Sequence, residues 1–403
     1  MKRRRVKITG IGIVTPAGIG KEAFRRGILE PVSRVGPVNR FPEEAGPFVA
    51  SEIKRFNPID YGLDGASKRL PRHTQFAMVA AKEAVAETGV SLDHLQRLSP
   101  VVVTGTSLMD SNVINQTIEN VARKGPRFGL SRVVFHGPVS SIAVAVGEMF
   151  GGARTLSLQS ACCAGSDAIG HAATTVAYGE SDFAICGGTE APIYYHPMLE
   201  LRMAGLSPAT AERPDQLGRP FDLWRTTGII GEGACILTLE PESSLRAGYA
   251  WIDGYSYAAD KTERLGEGLF EAIRLCLANA NASPADIDMI SAWGPGHREI
   301  DAVEAKILRR ILGAELDRVP IVSIKGAIGN PFAAAGAIQA GCAALGLREG
   351  HMPPTVNWRH PDPECPLNLS AAARFMQFTT ALINSHGLSG TNSCLLLRRC
   401  TST

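Results

Sequence analysis

Short runs rich in valine and isoleucine alternate along this chain with longer alanine-rich stretches of helical period, and the series runs twice. In the first pass, VKITGIGIV, SPVVVTGT, FAICGGTE and ACILTLEP predict strands, and HTQFAMVAAKEAVAETG and CAGSDAIGHAATTVAYG predict helices. Near-continuous apolar strands belong to sheets covered on both faces, so the pattern predicts an α/β fold. After about residue 247 the series restarts. AWIDGYSYAA, DMISAWGPG and VPIVSIKG are strand-like; GLFEAIRLCLANANA, REIDAVEAKILRRIL and AAAGAIQAGCAALGLREG are helical; TALINSHG and NSCLLLRR close as strands. Two comparable halves are therefore expected, residues 1–247 and 248–403, packed as one body because no linker separates them. Within the first half, residues 208–228 (PATAERPDQLGRPFDLWRTTG) predict a loop long enough to serve a function.

The composition agrees and excludes several classes. In 403 residues, 45% are hydrophobic and 20% charged, which suits a globular protein. A net charge of +2 gives no field for nucleic acid or an anionic membrane. The basic start MKRRRVK followed by ITGIGIVTPAGIG resembles a signal peptide, but the apolar run is broken by glycines and carries Lys7, which predicts a strand. No run of about 18 apolar residues predicts a membrane span. The 9 cysteines sit mostly in apolar segments with no C-x-x-C pair, so reduced, buried thiols in the cytoplasm are expected, with no metal site.

SLQSACCAGSDAIG places Cys162 and Cys163 between a strand-like run and a helix of small residues. A thiol at a helix N-terminus is stabilised as thiolate by the positive end of the helix dipole. The competing reading is a pair of small buried core cysteines.

The order of several motifs resolves this. VKITGIGIVTPAG, SACCAGSDAIG, GESDFAICGGTEA, GRPFDLWRTTGIIGEGACILTLE, VSIKGAIGN with AAAGAIQA, PPTVNW and NSHGLSGTNSCLLL together resemble the β-ketoacyl-acyl carrier protein synthases of the thiolase superfamily over nearly the whole chain. The resemblance implies a thiolase-like fold of five α-β-α-β-α layers. It implies that Cys162 is the nucleophile and that the backbone N–H groups of Cys162 and Leu388 form an oxyanion hole. It also implies a dimer through the first half, acyl groups carried as thioesters on acyl carrier protein, and no organic or metal cofactor.

The chain departs from that family where condensation needs it most. Two histidines and a lysine normally polarise the thioester carbonyl. The first histidine position is Trp293, in a register fixed by Asp301 and Glu304; two threonines that contact pantetheine become Pro295 and His297. Lys325 is kept, but the second histidine is Asn330, and a family glutamate is Gln339. Neither tryptophan nor asparagine exchanges a proton near neutral pH. His386, in place of a family aromatic, and His297 are candidate substitutes as a base; His171 on the nucleophile helix is expected to be a buried core residue.

Three functions follow. The first is a partner subunit of the chain-length-factor type, which completes a dimer with an active ketosynthase; the alternative of a self-dimer stays open. The second is a non-elongating acyltransferase acylated on Cys162. The third is a condensing 3-oxoacyl synthase with an altered site. Residues 133–138 are expected to reach toward the partner's tunnel, with Met109 and Phe135 as candidate gates. Arg202, Arg213 and Arg219 are candidate contacts for an acidic carrier.

Overall fold

A single mixed sheet of eleven strands organises the chain in the computed structural model, which describes residues 3–42, 44, 46–261 and 265–400. Met1 and Lys2 of the basic start lie outside the described residues. Ten strands run edge to edge: β1 (Val6–Thr15), β2 (Val101–Gly105), β3 (Arg154–Leu158), β4 (Ala184–Glu190), β5 (Gly233–Pro241), β6 (Ala250–Ala259), β7 (Met289–Ser291), β8 (Ile321–Val322), β9 (Thr380–His386) and β10 (Thr391–Arg399). The eleventh, Gly18–Ile19, folds back on β1.

The strand order repeats. From the centre outward the first five run β1-β5-β4-β2-β3 and the second five β6-β10-β9-β7-β8, the same permutation. The pairings match as well. First with fifth and fifth with fourth are antiparallel, while fourth with second and second with third are parallel. The two sets meet where Lys7 of β1 faces Trp251 of β6. Even an irregularity recurs: β1 shifts register between Ile8 and Gly10, and β6 between Ile252 and Gly254. At each bulge the glycine admits a helix backbone. An added Cβ would lie 2.1 Å from Ala84 O at Gly10 and 2.5 Å from Cys276 O at Gly254.

Helices α1 (Arg72–Glu87) and α2 (Ser140–Met149) cover the outer face of the first set. Helices α4 (Glu267–Asn279) and α5 (Arg298–Leu312) cover that of the second. Between the two sets lie α3 (Ala164–Ala177) and α6 (Ala333–Glu349). Three apolar cores thus fill five layers, the central one covering both faces of the α3–α6 layer, as the resemblance implies. A helix enclosed by sheets is apolar all round, and α6 is buried from Ala333 through Leu347. The central helices touch because Gly165 has no side chain: an added Cβ would lie 2.3 Å from Ala333 O.

Two expectations are corrected. In VPIVSIKG only Ile321–Val322 pairs as a strand, and the chain turns helical over Lys325–Ile328, which buries Lys325. His171 is exposed, not a core residue. Gly170 rests on the Tyr255 ring, so the next residue turns outward, where His171 stacks at 6.4 Å from the exposed Tyr257 ring. The 208–228 loop carries one short turn, Pro214–Gln216, and is clamped by Asp222, which accepts the N–H groups of Trp224 (3.0 Å), Arg359 (2.7 Å) and His360 (2.7 Å). No helix among the described residues is long and apolar enough to cross a membrane.

Candidate active site

The nucleophile candidate stands on a turn that the backbone strains to make. After β3 the chain passes through the turn Ala161–Cys163 into α3, and Ala161 takes φ 51°, a left-handed conformation unusual for a residue with a Cβ. The β9–β10 hairpin loop presses against this turn: a Cβ added at Gly387 would lie 3.1 Å from Ala161 Cβ and 3.5 Å from Cys162 N. The Cys162 thiol meets the backbone N–H groups of Leu388 and of Cys162 itself, the two amides assigned above to an oxyanion hole. Cys163 turns the other way and donates its thiol to Thr391 O at 3.4 Å. Of the two, Cys162 lines a pocket of about 30 Å³, together with Trp293, His297, Asn330, His386 and Leu388.

Burial governs the thiol. Cys162 is 3% exposed, and desolvation pushes it up to about 12, with the Glu190 carboxylate adding to the shift. The Leu388 N–H, Lys325 and its own N–H work the other way without overcoming it. Burial thus opposes the thiolate stabilisation expected of the helix end. Glu190, at the end of β4, is itself pushed up to about 7 by burial, against hydrogen bonds from Ser107 N (2.8 Å), the Ser107 hydroxyl and Thr106 Oγ1 (3.2 Å). Sequence reasoning missed Glu190, because FAICGGTE was read only as a strand.

Trp293 occupies the first histidine position as an apolar wall packed with Cys162 and Phe332. Its loop is pinned from α5: Glu304 accepts the N–H groups of Trp293 (2.9 Å) and Gly294 (2.8 Å), and Asp301 those of Phe221 (2.7 Å) and Gly296 (3.1 Å). These bonds explain why the acidic pair holds the register. Lys325 lies behind the tryptophan and does not line the pocket. Its ammonium sits 3.9 Å from the Trp293 ring centroid and donates to Trp293 O (2.5 Å) and Gln339 Oε1 (3.3 Å). Burial pulls it down to about 7, opposed by Glu304, Cys162 and Asp301. Gln339 turns its amide nitrogen to Ala292 O (2.9 Å), Ser291 O (3.0 Å) and Asn384 O (3.4 Å). Asn330 exchanges backbone bonds with Ile229 and Gly231, and its side-chain oxygen is buried without a hydrogen bond.

Of the other candidates, His297 and His386 reach the pocket; Met109 and Phe135 do not, and both are exposed, 47% and 71%. Arg202 stacks on Phe48, 3.6 Å from the ring centroid, and Arg219 donates to Gln216 O at 2.5 Å, which leaves Arg213 as the exposed member of that trio. Asn392, which holds His386, was not singled out from sequence; a hairpin across Gly387–Gly390 would have placed it opposite the histidine.

Comparison with known proteins decides the family. The description "Beta-ketoacyl synthase, N-terminal domain" matches residues 3–244, and "Beta-ketoacyl synthase, C-terminal domain" matches residues 248–359. The chain belongs to the β-ketoacyl synthase family. A "Putative polyketide beta-ketoacyl synthase 1" of Streptomyces cyaneus is 32% identical over 413 residues, covering 98% of each chain. The solved ishigamide ketosynthase/chain length factor superposes with a TM-score of 0.92 at 27% identity, covering 99% of this chain and 100% of that one. A type II polyketide ketosynthase in complex with its acyl-carrier protein (AntDE:AntF) superposes at 0.90 with 25% identity, covering 99% and 100%. The five layers described above are thus the thiolase-like fold of this β-ketoacyl synthase family, an acyl-transferring one.

Proposed function

We propose that this chain is the non-condensing, chain-length-factor-type subunit of a two-chain type II synthase, pairing with an active ketosynthase to handle acyl groups on acyl carrier protein. One observation carries the reading. At both positions where the family polarises the thioester carbonyl, the pocket presents groups that cannot titrate, the Trp293 ring and the Asn330 amide. Losing one oxyanion donor costs about two to three orders of magnitude in rate, so losing both leaves condensation to a partner.

The partner face belongs to the same proposal. β3 ends the sheet with Arg154, Thr155 and Leu156 exposed, an edge with unpaired backbone groups. Ile118, Val134 and Phe135 are exposed apolar side chains of the helices in the same half. In this reading residues 1–247 carry the nucleophile and the partner face, and residues 248–403 carry the altered histidine positions and the oxyanion loop. Reduced thiols and a carrier-borne substrate support a cytoplasmic location for the subunit.

The test is co-expression with the histidine-retaining homologue of the same organism, followed by native mass measurement. A one-to-one heterodimer is expected, and Leu156→Lys should break it. A self-dimer that ignores the homologue would overturn the proposal.

A further inference from the structure

His386 and Asn392 face one another as register partners across the β9–β10 hairpin, with His386 Nδ1 2.6 Å from Asn392 Oδ1. The neighbours fix which way the amide points. Its Nδ2 lies 3.1 Å from Asp260 Oδ1 and 3.1 Å from Gly390 O. Asp260 Oδ1 also accepts the N–H groups of Gly266 (3.1 Å) and Gly268 (2.7 Å), and a carbonyl oxygen can only accept. Both contacts therefore demand a donor, and Oδ1 is left to face the imidazole. The ring must carry a proton on Nδ1, so in the neutral imidazole Nε2 is the acceptor. That ring lines the same pocket as Cys162 and Leu388.

The thiol needs such an acceptor, because at about 12 it is protonated near neutral pH. Lys325 is poorly placed to serve as one, since its ammonium is held by Trp293 O and Gln339 behind the Trp293 ring. His297 Nδ1 is buried with no hydrogen bond among the described residues, so no such bond sets its tautomer. Of the pocket's two histidines, His386 is the one with its tautomer set.

We propose that Cys162, His386 and Asn392 form a thiol–imidazole–amide triad with which this chain takes an acyl group from a thioester onto itself and returns it to a second thiol. The inference rests on the acyl-thioester reading above. In the first step the Cys162 proton passes to His386 Nε2 as sulfur attacks the thioester carbon. The carbonyl electron pair moves to oxygen, which the Cys162 and Leu388 amides receive. As the carbonyl re-forms, the donor C–S bond breaks and the leaving thiolate takes the proton from Nε2. The same steps in reverse, with another thiol as acceptor, release the group. Asn392 is a positioning residue that keeps Nε2 toward the pocket.

The test is the rate of self-acylation by an acyl-pantetheine thioester, read by intact mass between pH 6 and 9. The wild type should gain one acyl group and Cys162→Ala none. His386→Phe, which restores a ring of similar size, should slow the reaction by about 10²–10⁴-fold. Its residual rate should climb roughly tenfold per pH unit, as expected when thiolate alone reacts, against a flatter wild-type profile. Asn392→Ala should fall between, with a steepened profile that a merely structural loss would not produce. His386→Gln serves as a second variant if the first melts early. A His386→Phe variant that folds and acylates at the wild-type rate overturns the triad and leaves the acyl reading intact. No wild-type adduct, while iodoacetamide still alkylates Cys162 at a His386-dependent rate, overturns the acyl reading and the transfer with it.

Discussion

Lys325 Nζ sits 3.9 Å from the centroid of the Trp293 ring and 2.5 Å from the Trp293 carbonyl oxygen. Trp293, at the position where the resemblance expects a histidine, thus covers Lys325. Burial holds this ammonium at about 7 in place of 10.5. Between those pH values the unfolded chain binds a proton that the folded chain does not, so this group's contribution to stability rises with pH across the window. The slope is at most about 1.4 kcal/mol per pH unit. Wild type should therefore gain stability relative to Lys325→Met between pH 7 and 9 in urea unfolding. An unchanged difference would mean that the lysine is not held down in the fold.

Glu190 has the opposite sign. Its carboxyl is raised from 4.5 to about 7, so between those values the folded chain holds the extra proton and the group's contribution falls as pH rises. Glu190→Gln should flatten the loss of stability from pH 5 to 7. It also removes a charge that pushes the Cys162 thiol up, so iodoacetamide should alkylate Cys162 faster at pH 8. Equal alkylation rates would show that the carboxylate does not act on the thiol.

Gln339 stands where the family carries a glutamate, yet here it donates to three backbone carbonyls. Gln339→Glu keeps an acceptor facing Lys325 but removes the amide donor and turns a carboxylate oxygen toward the Ser291, Ala292 and Asn384 carbonyls. Stability should drop by about 1–3 kcal/mol near neutral pH, and partly recover in acid as the new carboxyl gains a proton. A urea midpoint equal to wild type would refute the donor role.

Restoring chemistry is the converse test. The Cys162 thiol meets the Leu388 amide and its own, and Trp293 and Asn330 line the pocket where the family resemblance expects carbonyl-polarising imidazoles. Trp293→His combined with Asn330→His should raise decarboxylation of a malonyl thioester by about 10²-fold or more over wild type, read as released carbon dioxide. Decarboxylation by the wild type at the double variant's rate would show that the histidines were never missed.

The sequence by itself determined the alternation of strand and helix, its second series and the small-residue helix behind Cys162; the missing histidines are an expectation of the resemblance. These are local patterns: apolar period reports which faces are covered, and a motif reports its register through Asp301 and Glu304. Resemblance aside, it could not choose between Cys162 and Cys163, adjacent thiols of the same chemistry, because the choice rests on a left-handed Ala161 and on which sulfur the Leu388 amide meets. It offered the helix end as an influence on the thiol but not the desolvation that opposes it, since desolvation depends on everything packed around Cys162. It placed His171 inside, although a helix between layers still has one face at the edge. It singled out His386 without Asn392, because only the hairpin register sets the two opposite each other and only Asp260 and Gly390 turn the amide. Tertiary structure decided which sulfur faces the pocket, how deeply it is buried, where His171 points and how Asn392 is turned, because each depends on groups distant in sequence that the packed halves bring within a few ångströms.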